Sequence, residues 1–229
     1  MKIEPIGFLK TCFGGKFGVP RQPGLSPSAW GTMELEAKFR SLESVRGLEG
    51  FSHVWLVFGF HETADEGWKP TVRPPRLGGN ERVGVFASRS TYRPNGLGLS
   101  LVKLDRIGME KEGGLEPPVL HFSGVDLVDG TPVYDIKPYL PYAEALPEAI
   151  GGYAGKTPER VAVEIESGAQ EAFDALDARS QQVIREVLSL DPRPAAGGEA
   201  AKTYGAALCG RNVRFRFVDG TCWISTIDG

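Results

Sequence analysis

The 229-residue sequence has few of the residues that build disulfide frameworks or metal clusters. Its three cysteines, Cys12, Cys209 and Cys222, are far apart and form no C-x-x-C pair, which argues against a disulfide scaffold and a zinc site. No apolar run approaches the length needed to span a membrane, and the first residues lack the pattern of a signal peptide. We therefore expect a cytoplasmic protein without a membrane segment.

Charge excess and the common catalytic motifs are also absent. The formal net charge is -3, so any contact with nucleic acid must depend on a local basic patch. The sequence contains no G-x-G-x-x-G that opens a helix, no G-x-x-x-x-G-K-[ST] loop, no G-x-S-x-G elbow and no H-E-x-x-H. These absences argue against the usual nucleotide-binding loops, the serine hydrolase elbow and the helical zinc site.

The segments that are present favour a mainly β protein. The 30 glycines and 17 prolines are typical of many turns and short strands. A short helix capped by Ser41 is predicted between the first two strands. Many strands with few helices between them indicate a closed barrel or a sandwich. The predicted strands are Thr32 to Ala37, Phe51 to Phe60, covered on both sides, Arg82 to Phe86, Leu97 to Leu104 and Val119 to Val128.

A polar, turn-rich stretch at 153–160 predicts a linker between two units. We expect a barrel-type domain over residues 1–152 and a small α+β domain over residues 160–229. The second unit is predicted to contain a strand at 161–166, helical segments at 168–178 and 180–190, and a terminal hairpin that turns at Asp219-Gly220.

An arginine cluster forms the first candidate site. Residues 73–93 contain five arginines and one acid, a local charge of +4 in a chain of net charge -3. Arginine matches phosphate and carboxylate groups bidentately, so the cluster suits a phosphodiester or a substrate carboxylate. A solvated surface run is the other interpretation.

The second candidate site is the segment from Asp126 to Tyr142, in which Asp126, Asp129 and Asp135 lie beside predicted turns. Such carboxylates serve as acid–base groups, as anchors for a ligand amine or, in the weakest alternative, as metal ligands. Asp129-Gly130 also has the composition of a simple turn. His61 and Glu62 follow an apolar strand, where a side chain can face the opening of a cavity.

Several long motifs, in this order, resemble the TrmO family, also called the TsaA-like or YaeB family. The resemblance covers nearly the whole chain. It implies a single closed β-barrel N-terminal domain with a small C-terminal domain, a homodimer, and an S-adenosylmethionine-dependent tRNA methyltransferase that acts on N6 of threonylcarbamoyladenosine, just 3′ of the anticodon. The motifs are PRQPG, VRGLEGFSHVWLVFGFH, RPPRLGG, VGVFASRSTYRPNGLGLS, DLVDGTPVYDIKPYLPYAE and DPRPA. After DPRPA this chain has Ala196-Gly197 where the family has Tyr-Arg.

The resemblance also implies roles for individual residues. His61 and Asp129 are the candidates for a group that removes or orients the proton on the acceptor nitrogen, and proton loss to water after the transfer is the alternative. The implied S-adenosylmethionine contacts are Pro20, Arg21, Gln22, His61, Glu62, Arg89, Leu99, Ser100, Asp126, Leu127, Val128 and Asp129. The implied tRNA contacts are Arg73, Arg76, Arg93, Asn95, Lys137 and Tyr139.

Two other functions compete with methyl transfer. A non-catalytic RNA-binding β-barrel would use the same arginines for phosphates and bind no methyl donor. A metal-dependent hydrolase would use Asp126, Asp129 and His61 as ligands.

Overall fold

The computed structural model describes residues 2–109, 118–194 and 202–229. The end of the DPRPA motif and the Ala196-Gly197 departure lie outside these residues. In chain order the strands are β1 (Gly7–Thr11), β2 (Trp30–Leu35), β3 (His53–Gly59), β4 (Thr71–Val72), β5 (Val83–Gly84), β6 (Leu97–Met109), β7 (Pro118–Ser123), β8 (Thr131–Pro138), β9 (Val163–Ile165), β10 (Tyr204–Leu208), β11 (Arg211–Val218) and β12 (Thr221–Asp228). The α-helices are α1 (Leu42–Val45), α2 (Pro141–Glu144), α3 (Ser167–Asp174) and α4 (Ala178–Ser189).

Six strands close into an antiparallel barrel, which confirms the predicted fold class. The order around the barrel is β1, β2, β7, β6, β3 and β8, and β8 pairs with β1 to complete the circle. Closure leaves no free strand edge, so every barrel strand has two hydrogen-bonded neighbours.

Strand β3 shows how the sequence builds the barrel wall. Val54, Leu56 and Phe58 are buried inside the barrel, whereas the alternating Trp55 and Val57 are half-buried on the outer face. The prediction that this strand is covered on both sides was therefore wrong, because a barrel strand presents only one face to the core.

The strand predictions differ from the structure in several places, and β4 and β10 are among the strands that were not predicted. Strands β1 and β8 were not predicted, since charged residues and turn-forming prolines dilute their apolar pattern. The segment predicted at 119–128 ends as a strand at Ser123, and residues 124–130 form a loop. The strand predicted at 82–86 is reduced to two residues of β5 followed by a 3-10 turn over Val85–Ala87.

The C-terminal part is α+β, as predicted. Its sheet has the order β10, β11, β12 and β9, with β9 parallel to β12. The hairpin turns at Asp219-Gly220, where both residues have positive φ, 48° and 78°.

One continuous cluster of buried side chains joins the barrel to the C-terminal sheet and α4, with Leu9, Leu56, Val187 and Phe215 among its members. Phe13 forms an isolated bridge with Leu208 across the two parts. The division into domains at 1–152 and 160–229 stays a prediction.

Among the described residues, no helix is both long enough and apolar enough to cross a membrane.

Candidate active site

Three loops leave the barrel at the same end, which we call the mouth. Strands alternate in direction around an antiparallel barrel, so the connections 12–29 (β1 to β2), 60–96 (β3 to β6) and 124–130 (β7 to β8) share one end. These loops carry most of the residues that the sequence analysis selected. The topology therefore brings together segments more than 100 positions apart in the chain.

Asp126 and Ser100 form the most enclosed polar pair at the mouth. Ser100 is 2% exposed and faces into the barrel, where its hydroxyl donates to Asp126 Oδ1 at 2.7 Å. Burial raises the pKa of Asp126 to about 6, although the Ser100 hydrogen bond and the nearby Arg89 charge partly oppose this shift. A carboxylate that has lost water in this way gains from a cationic ligand group.

Arg89 connects two of the three loops. Its guanidinium donates to Gln22 Oε1, which ties the 60–96 loop to the 12–29 loop, and its charge acts on Asp126 in the third. Arg89 itself is exposed, so its remaining donors are available to a ligand anion. Pro20, two residues before Gln22, is buried and anchors this part of the loop.

His61 and Asp129 lie on neighbouring loops at the mouth. A Cβ placed on Gly130 would be 4.0 Å from His61 Nε2, and Gly130 has a positive φ of 77° that favours glycine. His61 Nε2 also lies 3.8 Å from Glu62 Oε1. The imidazole therefore stands beside the Asp129-Gly130 turn.

The main chain of the 124–130 loop is fixed by β1. Asp129 Oδ1 accepts a hydrogen bond from the Thr11 amide at 2.8 Å, and the Asp129 amide donates to the Phe13 carbonyl at 2.9 Å. The Thr11 hydroxyl donates to the Leu127 carbonyl at 3.0 Å, and the Thr131 hydroxyl donates to the Val128 carbonyl at 2.6 Å. Asp129 is thus a turn residue, as one interpretation held, and its exposed carboxylate is held in place.

Thr11 was not selected from the sequence. It lies at the end of a strand that the apolar pattern did not reveal, and a threonine in a strand carries no distinctive signal. Its role depends on the distant Asp129, 118 positions away in the chain.

Arg21 points toward the C-terminal part. It donates to the Arg193 carbonyl at 3.3 Å. Burial and the positive charge of Arg76 lower the pKa of Arg21, and the negative charge of Asp191 opposes this shift. Arg193 in turn forms two hydrogen bonds with Asp191, at 2.8 and 2.7 Å, and lies 3.9 Å from the centre of the Phe217 ring. The DPRPA motif therefore packs beside the PRQ motif.

Some arginines of the cluster form hydrogen bonds within the protein, and others are exposed and can contact a ligand. Arg93 donates to the Val85 carbonyl at 3.2 Å and to the Ser88 carbonyl at 2.9 Å, and so supports the turn that carries Arg89. Arg76 donates to the carbonyl oxygens of 154 and 156, and Arg82 donates to the Thr71 hydroxyl at 2.9 Å. Arg73 is exposed. Part of the cluster therefore orders its own loop.

The two glycines of the RPNGLGLS stretch have separate structural reasons. Gly96 has a positive φ of 59° and closes the turn after Arg93, with Asn95 exposed beside it. A Cβ at Gly98 would overlap the Phe58 ring, so glycine is required where β6 passes β3.

The structure separates some of the selected residues. Leu99 is 53% exposed on the outer face of β6, opposite in direction to Ser100. Lys137 lies toward the far end of β8, six residues or about 20 Å along the strand from its start at the mouth, and Tyr139 follows the end of the strand. Asp135 is exposed on the outer face of the same strand, away from Asp126 and Asp129.

The opposite end of the barrel contains a hollow of about 770 Å³. Its lining is mainly apolar and includes Ile6, Leu35, Val45, Leu48 and Ile136. None of the residues selected for donor or tRNA binding lines it, so the polar groups at the mouth form the better candidate site.

In the part of the chain that the structure describes, no group of three or more His, Cys, Asp or Glu side chains is arranged to hold a metal ion. The hydrolase alternative therefore lacks a ligand set among these residues.

Comparison with known families identifies matches over both parts of the chain. Residues 8–145 match the model of the tRNA-methyltransferase O N-terminal domain, and residues 158–229 match the TrmO C-terminal domain.

Named relatives and solved structures agree with these matches. The chain is 49% identical to a tRNA (adenine(37)-N6)-methyltransferase of Escherichia coli over 95% of this chain and 94% of that protein. It is 44% identical to a putative S-adenosylmethionine-dependent methyltransferase, RcsF, of Pseudomonas aeruginosa over 94% of this chain and 92% of that protein. A crystal structure of TrmO from Pseudomonas aeruginosa superposes with a TM-score of 0.79 at 37% identity, covering 100% of this chain and 98% of that one.

Proposed function

The chain belongs to the tRNA-methyltransferase O family, and on that premise we propose that it transfers a methyl group from S-adenosylmethionine to tRNA. The acceptor is N6 of threonylcarbamoyladenosine, next to the anticodon. The observation that carries the proposal is the meeting of Asp126, Ser100 and Arg89 at the barrel mouth, in a chain similar to such enzymes along nearly its whole length.

The charges at the mouth suit the amino-acid end of the donor. Asp126 accepts one hydrogen bond from Ser100 and has further lone pairs that can bind an ammonium group. Arg89, oriented by Gln22, can bind the carboxylate of the same ligand. The residues present therefore fit a zwitterionic ligand, and this fit involves two of the loops that the sequence keeps far apart.

S-adenosylmethionine supplies an electrophilic methyl group on a positively charged sulfur. The protein's main task is to hold acceptor and donor in line, because alignment alone can remove a large part of the barrier. The rigid attachment of the 124–130 loop to Thr11 and Phe13 supports such alignment.

The acceptor nitrogen carries a proton that must leave during the transfer. The Asp129 carboxylate is held through one oxygen by the Thr11 amide, which leaves the other able to accept a hydrogen bond from N6. His61 stands beside the same turn and can receive a proton at Nε2. We assign proton handling to this pair of residues.

The tRNA is bound by the exposed arginines around the mouth. Arg73 and Arg89 are exposed and can contact phosphates or the threonyl carboxylate. Arg93 acts mainly by ordering its own loop, because it donates to the Val85 and Ser88 carbonyls, and Arg76 ties the same loop to the backbone at 154 and 156. The target base lies in an exposed loop of the tRNA, so little unstacking is needed for it to reach the mouth.

A homodimer is the proposed assembly, in the cytoplasm. Large apolar side chains are exposed along residues 140–153, with Tyr142 88%, Leu146 72% and Ile150 96% exposed. A stretch of this kind is typical of a protein interface. Lys137 and Tyr139 immediately precede this stretch. If these two residues contact tRNA, they would do so at the mouth of the partner subunit.

The oligomeric state tests this assembly. Light scattering on the purified protein should give about twice the chain mass of 24.8 kDa, and Ile150→Glu should lower it to the chain mass. Leu42→Glu, at an exposed apolar position outside the segment, is the matched control and should leave the mass unchanged. A wild-type protein of single-chain mass would contradict the dimer.

Methyl transfer is tested with labelled donor and two tRNA preparations, one carrying and one lacking the threonylcarbamoyl group. We expect a methylated nucleoside only from the first preparation. Donor affinity is measured in parallel by calorimetry. A protein that binds tRNA without binding the donor would instead be the non-catalytic RNA-binding barrel.

A further inference from the structure

Two free cysteines face each other across the junction between the barrel and the C-terminal sheet. Phe13 forms an antiparallel bridge with Leu208, so Cys12 and Cys209 are the next directly opposed pair. The Cys209 amide donates to the Cys12 carbonyl at 2.7 Å. The Cys12 amide donates to the Trp30 carbonyl, so one backbone hydrogen bond joins the two cysteines. Directly opposed residues of an antiparallel pair have Cα atoms about 4.5 to 5.5 Å apart.

This spacing lies inside the range that a disulfide needs, which is roughly 4.4 to 6.8 Å between Cα atoms. The two thiols lie close enough to shift each other's pKa, that of Cys12 upward and that of Cys209 downward. Bridging them would therefore require rotation of side chains and little movement of the backbone.

The two thiols differ in access and acidity. Cys12 is 2% exposed, whereas Cys209 is half-buried and can be reached by a small oxidant. The hydrogen bond from Cys12 lowers the pKa of Cys209, with burial opposing and Ser180 assisting this shift. Cys209 is thus the better nucleophile of the pair, and Cys12 is in position to react second.

The backbone at Cys209 gives an independent reason to regard the residue as selected for its thiol. Cys209-Gly210 is a two-residue hairpin turn with φ of 53° and 74°. Turns of this type favour Asn-Gly or Asp-Gly, and the neighbouring hairpin does use Asp219-Gly220 with φ of 48° and 78°. Cysteine is a poor choice for such a turn, so its presence points to chemistry at the side chain.

We propose that Cys12 and Cys209 form a redox site that is oxidised by hydroperoxides to a reversible disulfide between the barrel and the C-terminal hairpin. The proposal concerns this dithiol alone and does not depend on methyl transfer.

The reaction balances with a hydroperoxide as the oxidant. The Cys209 thiolate attacks one peroxide oxygen, the O–O bond breaks, and Cys209 sulfenic acid and water or an alcohol are formed. The Cys12 thiol then attacks the Cys209 sulfur, the S–O bond breaks, and water leaves as the S–S bond forms. Two thiols lose two electrons and two protons, and a dithiol reductant reverses the reaction.

Cys222 is the internal control. It is 0% exposed, and burial raises its pKa to about 12. This buried thiol should remain unreacted under conditions that oxidise the pair.

The test treats the full chain with a small excess of hydrogen peroxide and counts free thiols after denaturation. The count should fall from three to one, the protein should stay a single chain on a non-reducing gel, and peptide mapping should join the Cys12 and Cys209 peptides. Addition of a dithiol should restore all three thiols.

Two variants sharpen the result. Cys209→Asn removes the thiol while installing a residue that the turn favours, and its two remaining thiols should persist after peroxide treatment. Cys222→Ala should lose both of its remaining thiols to the same disulfide.

Three outcomes would overturn the proposal. These are three intact thiols in the wild type, a disulfide that includes Cys222 or a second chain, and Cys209 that accumulates as sulfinic acid without pairing.

Discussion

The two ends of the barrel share one core but differ in the loops that they support. At the mouth, loops 12–29, 60–96 and 124–130 bring together a half-buried carboxylate, an exposed arginine and an imidazole. At the opposite end, the 36–52 connection and the end of β8 enclose a hollow with a mainly apolar lining. The barrel core does not restrict which loops are attached at either end, since its stability comes from the alternating inward residues of each strand.

The comparison shows where polar groups have been buried at a cost. The raised pKa of Asp126 means that the folded protein disfavours its ionised form. At the opposite end, Glu43 and Arg46 form an exposed ion pair on α1 and its C-cap, which contributes little to stability. A buried carboxylate whose partners do not offset its loss of water is a reason to expect a ligand, whereas a solvated ion pair is not.

The largest expected effect comes from Asp126→Ala. Losing the carboxylate that binds an ammonium group costs about 3 kcal/mol, so the affinity for S-adenosylmethionine should fall about 100-fold. Calorimetry measures the change. Glu43→Ala, at the other end, should leave donor affinity unchanged within experimental error. Equal losses of donor affinity in both variants would contradict the assignment of donor binding to the mouth.

The next effect is that of Arg89→Ala. The guanidinium is exposed, so the loss of its contact with the donor carboxylate should lower donor affinity about tenfold. Arg46→Ala is the matched control at the opposite end. Arg89 would have no place in donor binding if Arg89→Ala bound the donor as tightly as the wild type.

Donor binding should also depend on pH through Asp126. Above about pH 6 the carboxylate is ionised and can bind the ammonium, and below this pH it is protonated. Donor affinity should therefore fall up to about tenfold per pH unit below 6. In Asp126→Asn this dependence should disappear, and a profile that kept its midpoint in this variant would assign the titration to another group.

The smallest expected effect is on stability. Because the pKa of Asp126 is higher in the folded chain than its ordinary value of 3.8, the wild type loses stability as the pH rises between about 4 and 6. Asp126→Asn avoids this loss and should be more stable at pH 7.5 by about 1 kcal/mol, allowing for partial solvent screening.

Urea unfolding at pH 7.5 and pH 4 measures this difference. The gain should be present at the higher pH and vanish at the lower one. A variant less stable than the wild type at pH 7.5 would mean that the carboxylate is stabilising even without a ligand.

Much of the fold could be predicted from local patterns. Strand β3 was visible as an apolar run and the terminal hairpin as apolar alternation before an Asp-Gly turn. The helix cap at Ser41 is present, with its hydroxyl accepting from the Glu43 amide at 3.2 Å. Strands β1 and β8 were not visible, because each depends on pairing with distant strands rather than on its own composition.

The candidate site could be predicted only as a set of residue types. Motif resemblance selected Ser100 and Leu99 together, yet adjacent strand residues point to opposite faces, so only Ser100 reaches Asp126. The resemblance assigned Arg89 to the donor and Arg93 to the tRNA, whereas the structure directs Arg93 to backbone carbonyls and Arg89 to Gln22.

By itself the sequence determined the β-rich class, the family and the absence of the usual nucleotide-binding loops, because each follows from composition or from contiguous motifs. Tertiary structure alone decided that Thr11 holds Asp129, that Cys12 meets Cys209, and that three loops share one end of the barrel. The physical reason is that these relations arise from barrel closure and strand direction, which bring together residues whose separation along the chain carries no information about their distance in space.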